Sequence, residues 1–246
     1  MFPVPDNIYY KIFDLSFVET THQYVSREGN FSIEEVVENR NTLIKAANAK
    51  EILLTKQVHG PEIHYAETGS IIGKEPKADG CFTDKAGILL AIQTADCVPV
   101  LFFSNDGNIV GAAHAGWKGA KLNILDRLYE KLSRKNGDFS AIIGPSIHQK
   151  SYEVDKNFHE SFLGDDKANE RFFIDSVKPQ HFMFDLPEYV RAKLEKLSLN
   201  NIYHIDEDTY STKLPDGGFK YPSYRRSCHT GEVYPRSIIS TIMIKE

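Results

Sequence analysis

Residues 98–128 read VPVLFFSNDGNIVGAAHAGWKGAKLNILDRL. A short apolar run, the turn signal Asn105-Asp106-Gly107-Asn108 and a second apolar run predict a β-hairpin, so at least one strand pair is antiparallel. A helical pattern follows at once, from about Lys118 to Arg134, with Leu122, Leu125, Leu128 and Leu132 on one side. Hairpins mixed with separated helices favour an α+β layered fold over a doubly wound parallel sheet.

Working outward, SIEEVVENRNTLIKAANAK (32–50) predicts a helix with Ser32 as N-cap and Glu35 completing a capping box. A shorter helix is expected after Asp155. Another is capped by Asp185, with Pro187 in its first turn and Asn200-Asn201 at its end. EILLTKQV (51–58), GILLAIQ (87–93), AIIGPSI (141–147), NIYHID (201–206) and SIISTIMI (237–244) read as further strands. No linker, low-complexity tract or repeat divides the sequence, and residues 1–246 are read as one catalytic domain.

The 246 residues are 41% hydrophobic, enough for a full core, and carry a net charge of −5 with no long basic run. Nucleic-acid binding is therefore not expected. No uninterrupted apolar stretch of membrane-spanning length and no secretory signal pattern is present, and three widely spaced cysteines suit a reducing compartment. The expectation is a cytoplasmic protein, a monomer or small homo-oligomer, with no membrane partner.

Three short segments carry the candidate chemistry: KQVHG with His59, QTADCVP with Cys97 and AAHAGWKG with His114, each near the end of a predicted strand. Asp96 beside Cys97 is a poor core residue, and Pro99 is expected to interrupt the strand and turn the thiol out of the sheet. Small neighbours, Ala112, Ala113, Ala115 and Gly116, clear space at the His114 imidazole. The helix start at Trp117-Lys118-Gly119 offers an anion site, with Lys118 as an optional second charge.

Jointly, His59, Cys97 and His114 suggest a His₂Cys catalytic zinc site with a fourth position for water, whose pKa such an ion lowers to about 7. A metal-free Cys–His nucleophile and base is the alternative, with Cys97 attacking and His59 or His114 deprotonating it. From spacing alone both stay open. His148 in PSIHQK could line a pocket; the remaining histidines, His22, His64, His159, His181, His204 and His229, read as structural or surface residues. Cys81 reads as core and Cys228 as a possible reactive thiol.

The sequence resembles the YfiH-like family of polyphenol oxidase or laccase-domain proteins, also named purine nucleoside phosphorylases. The resemblance rests on Asn39-Arg40, KQVHG (56–60), ADGCFT (78–83), QTADCVPVLFF (93–103), AAHAGWKGA (112–120), IIGPSIHQKSYEV (142–154) and SYRR (223–226). It implies a layered αββα sandwich with mixed β-sheets, similar in shape to the cysteine-hydrolase domain of cytotoxic necrotizing factor. It also implies that His59, Cys97 and His114 are zinc ligands at the centre of the site. The implied activity is phosphorolysis of adenosine, inosine and methylthioadenosine to base plus ribose 1-phosphate, with deamination of adenosine to inosine. Purine nucleoside and phosphate are then the partners. Some relatives are instead associated with editing peptidoglycan precursors, which keeps a Cys–His amidase as an alternative.

Three departures stand on the substrate side: Asp208-Thr209 where relatives often carry Cys-Thr, Tyr221-Pro222 where they carry Phe-Phe, and Thr230-Gly231-Glu232 where they carry Thr-Gly-Arg. Arg40 and Arg225 are candidates for a phosphate clamp, because guanidinium forks match phosphate, and Asp96 for a proton shuttle. A multicopper oxidase needs a blue-copper His₂Cys site plus a trinuclear cluster with many imidazoles, and the nine histidines here include no His-x-His pair. Copper-binding oxidoreductase is thus the least favoured reading, although Cu²⁺ could displace Zn²⁺ on these ligands.

Overall fold

The computed structural model describes residues 2–14, 32–135, 137–231 and 237–246. His22 and Glu232 lie outside the described residues. In chain order the strands are β1 (Ile8–Phe13), β2 (Glu51–Leu54), β3 (Ile63–Tyr65), β4 (Gly80–Thr83), β5 (Ile88–Thr94), β6 (Val98–Ser104) and β7 (Val110–Ala115). After them come β8 (Phe139–Ile143), β9 (Glu153–Asp155), β10 (Phe173–Asp175), β11 (His181–Phe184), β12 (Leu199–His204) and β13 (Ile238–Ile244). The helices are α1 (Ile33–Ala47), α2 (Trp117–Lys121), α3 (Ile124–Ser133), α4 (Lys156–Asp165), α5 (Leu186–Leu194) and α6 (Tyr224–Thr230).

The 105–108 turn closes the hairpin as the sequence predicts. β6 and β7 pair antiparallel, and Gly107 takes a φ of 75° that a side chain tolerates poorly. A Cβ there would also stand 2.1 Å from Asn7 Oδ1. Around this hairpin lies a six-stranded sheet of order β12-β8-β6-β7-β4-β3, in which β12–β8 and β3–β4 are parallel. A second sheet, β1-β13-β5-β2, has one parallel pair, β2–β5. A small third sheet, β10-β11-β9, is antiparallel.

Side-chain alternation decides the layering. Val98, Val100 and Phe102 of β6 pack on Leu125, Leu128 and Leu132 of α3, while Leu101 and Phe103 face Leu90 and Ile92 of β5 and Ile242 of β13. β5 alternates likewise, turning Leu89 and Ala91 outward onto Leu43 and Ala47 of α1. The order is α1, four-stranded sheet, six-stranded sheet, then α3 and α5: an αββα sandwich of mixed sheets. Both strands are buried on two faces and read as unbroken apolar runs. Each fully buried Leu, Ile or Phe stabilises the sandwich by roughly 1.5–3 kcal/mol.

Local expectations hold where a side chain closes a defined motif. Ser32 Oγ accepts from Glu35 N–H at 3.1 Å and Ser32 N–H donates to Glu35 Oε2 at 2.8 Å, which completes the capping box. Asp155 and Asp185 cap α4 and α5. Elsewhere the structure corrects them. The helix expected from Lys118 to Arg134 is broken at Asn123, whose φ of 62° separates α2 from α3 and leaves Leu122 exposed. α5 stops at Leu194, and Asn200 and Asn201 belong to β12. Pro99 does not interrupt β6: it pairs with His114, and its carbonyl accepts from Gly144 N–H just beyond the end of β8. The bend comes from Asp96, whose φ is 83°.

Candidate metal centre

The site lies at one end of the seam between the two large sheets. Even-numbered residues of β7 face that seam, which puts His114 at its mouth beside Ala112 and Val110. Cys97 stands directly before β6, after the left-handed turn at Asp96. His59 comes from the loop that leaves the four-stranded sheet after β2, and it too has a positive φ, 58°. Non-glycine residues with such backbone angles cost energy and persist where surrounding structure holds them.

Here that structure is Asp79, directly before β4 and fully buried. Its carboxylate accepts from the backbone N–H of Val58 at 3.0 Å, His59 at 2.8 Å and Gly60 at 2.8 Å. The same group accepts from His114 Nδ1 at 2.8 Å, and the Asp79 carbonyl accepts from His114 N–H at 2.7 Å. One carboxylate thus fixes the loop of one ligand and the ring of another. Burial opposes its ionisation, but the His114 ring and the Gly60 and Val58 N–H groups outweigh it and hold its pKa low. In the sequence Asp79 stands out only as part of ADGCFT (78–83). Its signal was a carboxylate that no core position explains, one residue before a strand.

The donor atoms of His59, Cys97 and His114 all lie within 4.8 Å of one another. Cys97 Sγ is 4.0 Å from His59 Nε2, against about 3.6 Å expected for sulfur and nitrogen on one tetrahedral zinc. Because Nδ1 of His114 donates to Asp79, its Nε2 is left for the ion, the usual partner arrangement of a metal-bound histidine. Gly116 completes the fit: a Cβ there would stand 2.8 Å from Cys97 Sγ and 3.2 Å from His59 Cδ2. Zinc fits this donor set, with His59 on the exposed side and His114 buried.

Electrostatics keep the sulfur ready for either role. Burial raises the Cys97 thiol, but the His114 and His59 rings bring it down to about 7. Burial lowers the His114 imidazole, yet the Cys97 sulfur and Asp79 carry it up to about 9. The ligands open into a cavity of about 660 Å³, within the range of small-molecule sites. Thr55, Lys56, Gln57, Gln93, Thr94 and Tyr224 line it, together with Glu75, the one carboxylate among its described lining residues.

The other predicted residues stand around this cavity rather than in its wall. Arg40 is buried on α1, where its guanidinium donates to Glu75 at 2.5 Å and to the Ser70 carbonyl at 3.0 Å, pinning the segment that carries Glu75. Asp96 Oδ1 accepts from Thr209 Oγ1 at 2.7 Å and Oδ2 from Arg225 N–H at 2.6 Å. Burial raises its pKa against these bonds. Arg225 donates to the Glu153 carbonyl and covers the Tyr152 ring. Lys118 lines a different cavity, with Lys121, Arg171 and Lys193, so the anion site expected at Trp117-Lys118-Gly119 does not join the ligand set. Two of the sequence departures are held by bonds outside the ligand set: Asp208 accepts from His148 N–H at 3.2 Å and from the Ser151 hydroxyl at 2.7 Å, and the Tyr221 hydroxyl donates to Glu207. Cys81 is core, with its thiol pushed up to about 12 by burial, and Cys228 is exposed.

Comparisons with known proteins bear on the family and the fold. Residues 26–243 match the family model described as multi-copper polyphenol oxidoreductase laccase. A purine nucleoside phosphorylase of Rickettsia conorii is 45% identical over 240 residues, 97% of each chain. The purine nucleoside phosphorylase YfiH of Shigella flexneri is 31% identical over 81% of this chain and 79% of its own. Among solved structures, a Neisseria meningitidis protein superimposes with a TM-score of 0.79 at 22% identity, covering 100% of this chain and 98% of its own. YlmD from Geobacillus stearothermophilus does so at 0.77 and 23%, covering 98% and 93%. These two likenesses establish the fold. With a match across most of its length and relatives this close, the chain belongs to the laccase-like polyphenol oxidoreductase family that includes YfiH.

Proposed function

We propose that this protein is a metal-dependent purine nucleoside phosphorylase that also deaminates adenosine. The observation that carries the reading is the convergence of His59, Cys97 and His114 at the base of a cavity large enough for a nucleoside. The relatives named purine nucleoside phosphorylases support the substrate class. Two imidazoles and a thiolate favour Zn²⁺, with Cu²⁺ as a tight competitor. When bound, the ion supplies Lewis-acid activation of oxygen.

This chain's own residues do the rest. Asp79 fixes the tautomer of His114 and the backbone of His59, so the donors need no reorganisation. Tyr224, 59% exposed at the cavity wall, offers a ring face for a purine. Lys56 in the wall supplies positive charge for phosphate and for the ribose 1-phosphate product, and Arg225, next in sequence to the wall residue Tyr224, adds to it. Arg40 acts on Glu75, and Asp96 holds the start of α6 beside the Cys97 turn; both are positioning residues in this reading. The three free thiols support a reducing, cytoplasmic setting.

The test is direct. With phosphate, the purified protein should convert adenosine to adenine plus ribose 1-phosphate and to inosine. Cys97→Ala should abolish both reactions. Turnover that survives Cys97→Ala overturns the reading.

One observation favours a second reading. Cys97, His114 and Asp79 also form a thiol–imidazole–carboxylate series, with the thiol lowered to about 7, as a Cys–His amidase requires. That enzyme would keep its activity after chelation, and Cys97 would label covalently with substrate.

A further inference from the structure

A second group of metal donors stands at the C-terminal ends of two adjacent strands. β8 and β12 run parallel, with His204 opposite Ile143. The chain leaving β8 brings His148 beside His204, the two ring centroids being 6.4 Å apart, and Asp206 follows two residues after β12. One donor atom from each of the three lies within 4.8 Å of the others. His148 Nε2 is 3.6 Å and His204 Nδ1 3.9 Å from Asp206 Oδ1, where a tetrahedral zinc would hold nitrogen and oxygen ligands about 3.4 Å apart.

The rings themselves point to a ligand. Nε2 of His148 and Nε2 of His204 are both buried and make no hydrogen bond. A buried polar atom without a partner is costly, and Nε2 of His148, the nitrogen that faces Asp206, asks for something that takes its lone pair. Asp206, with its side chain 78% exposed, can swing the short remaining distance.

We infer that His148, His204 and Asp206 form a second site, separate from the Cys97 centre, for a divalent first-row cation of the zinc type. Two imidazoles with one carboxylate select that class over Mg²⁺ or Ca²⁺, which take all-oxygen shells. The site contains no sulfur. It would clip the 144–148 loop to the end of β12, and this loop already holds the residue before Cys97: Ile147 N–H donates to the Asp96 carbonyl at 3.0 Å. Asp208, two residues after Asp206, accepts from His148 N–H at 3.2 Å.

The experiment uses the full chain, stripped of metal and titrated with Zn²⁺ by equilibrium dialysis and with Co²⁺ by absorption. Two ions per chain are expected. In Cys97→Ser the sulfur-to-cobalt charge-transfer band should vanish while one ion stays bound. In His204→Gln and His148→Gln that band should remain and the stoichiometry fall to one. Asp206→Asn, at an exposed position that leaves the fold intact, should weaken the second ion tenfold or more. One ion per chain in the unaltered protein, or two ions retained by His204→Gln and by Asp206→Asn with unchanged affinity, overturns the inference. It stands or falls independently of the reaction proposed above.

Discussion

His114 donates from Nδ1 to Asp79 Oδ1 across 2.8 Å, and the same carboxylate holds the backbone N–H of His59. Two candidate ligands, one on β7 and one in the loop after β2, therefore share one orienting group. Asp79→Asn should weaken Zn²⁺ binding about 10- to 100-fold, the usual effect of removing such a partner, while Cys97 and both imidazoles stay in the sequence. It should also destabilise the fold by about 1–3 kcal/mol, because an amide cannot accept from every donor aimed at it. Metal dialysis and a thermal melt check the two effects separately.

Gly116 is the narrow point of the site. Gly116→Ala puts a methyl 2.8 Å from Cys97 Sγ, so the sulfur must move. Metal content should drop sharply while stability falls by about 1–3 kcal/mol, as overpacking does. Full zinc occupancy in this variant would show that Sγ is not fixed by its neighbours.

The metal-free protein should reveal its low thiol in alkylation kinetics. The thiolate is the reactive form, so the rate at Cys97 should rise with pH through about 7 and level off above it. Added Zn²⁺ should block the reaction. As pH falls through about 7 the thiol is reprotonated, and Zn²⁺ affinity should decline in the same window. An ordinary profile centred near 8.5 for Cys97 would contradict the proximity of the two imidazoles.

Arg40→Met should destabilise more than it disables. The guanidinium and Glu75 are a buried ion pair, at 5% and 10% exposure, and removing one partner of such a pair costs about 3–5 kcal/mol. If Arg40 bound phosphate itself, the KM for phosphate would rise with the melting temperature unchanged. The structure predicts the reverse, with partial recovery in the double variant Arg40→Met, Glu75→Gln.

Much of this was readable from residue order. Hairpin geometry at Gly107, the capping box of α1 and the apolar runs of β5 and β6 depend on local chemistry that a sequence shows directly. The αββα sandwich was legible through the family resemblance that short, unusual segments carry, and His59, Cys97 and His114, which the structure brings together, stand in three of those segments. What escaped depends on distant partners. Asn123 breaks a helix where Lys193 Nζ meets its side-chain oxygen, 70 residues away. Pro99 stays in its strand because β8 ends just where its N–H would be needed. Asp79 and Glu75 gain their roles only from the strands and helix that the fold brings to them, and Arg40 looks available until Glu75 is seen beside it.

The seam location of the cavity has a further consequence. Cys97 and His114 are anchored in the six-stranded sheet, whereas Thr55, Gln57, Gln93 and Thr94 hang from the ends of β2 and β5 in the other. Under the proposed function, Cys97 and His114 would thus act from one layer and most of the substrate wall from the other, with the loop that carries Gln57 and His59 joining the two. On that proposal, exchanging Thr55, Gln93 or Thr94 is expected to change nucleoside preference more than metal content, whereas Gln57, two residues before His59, is expected to change both.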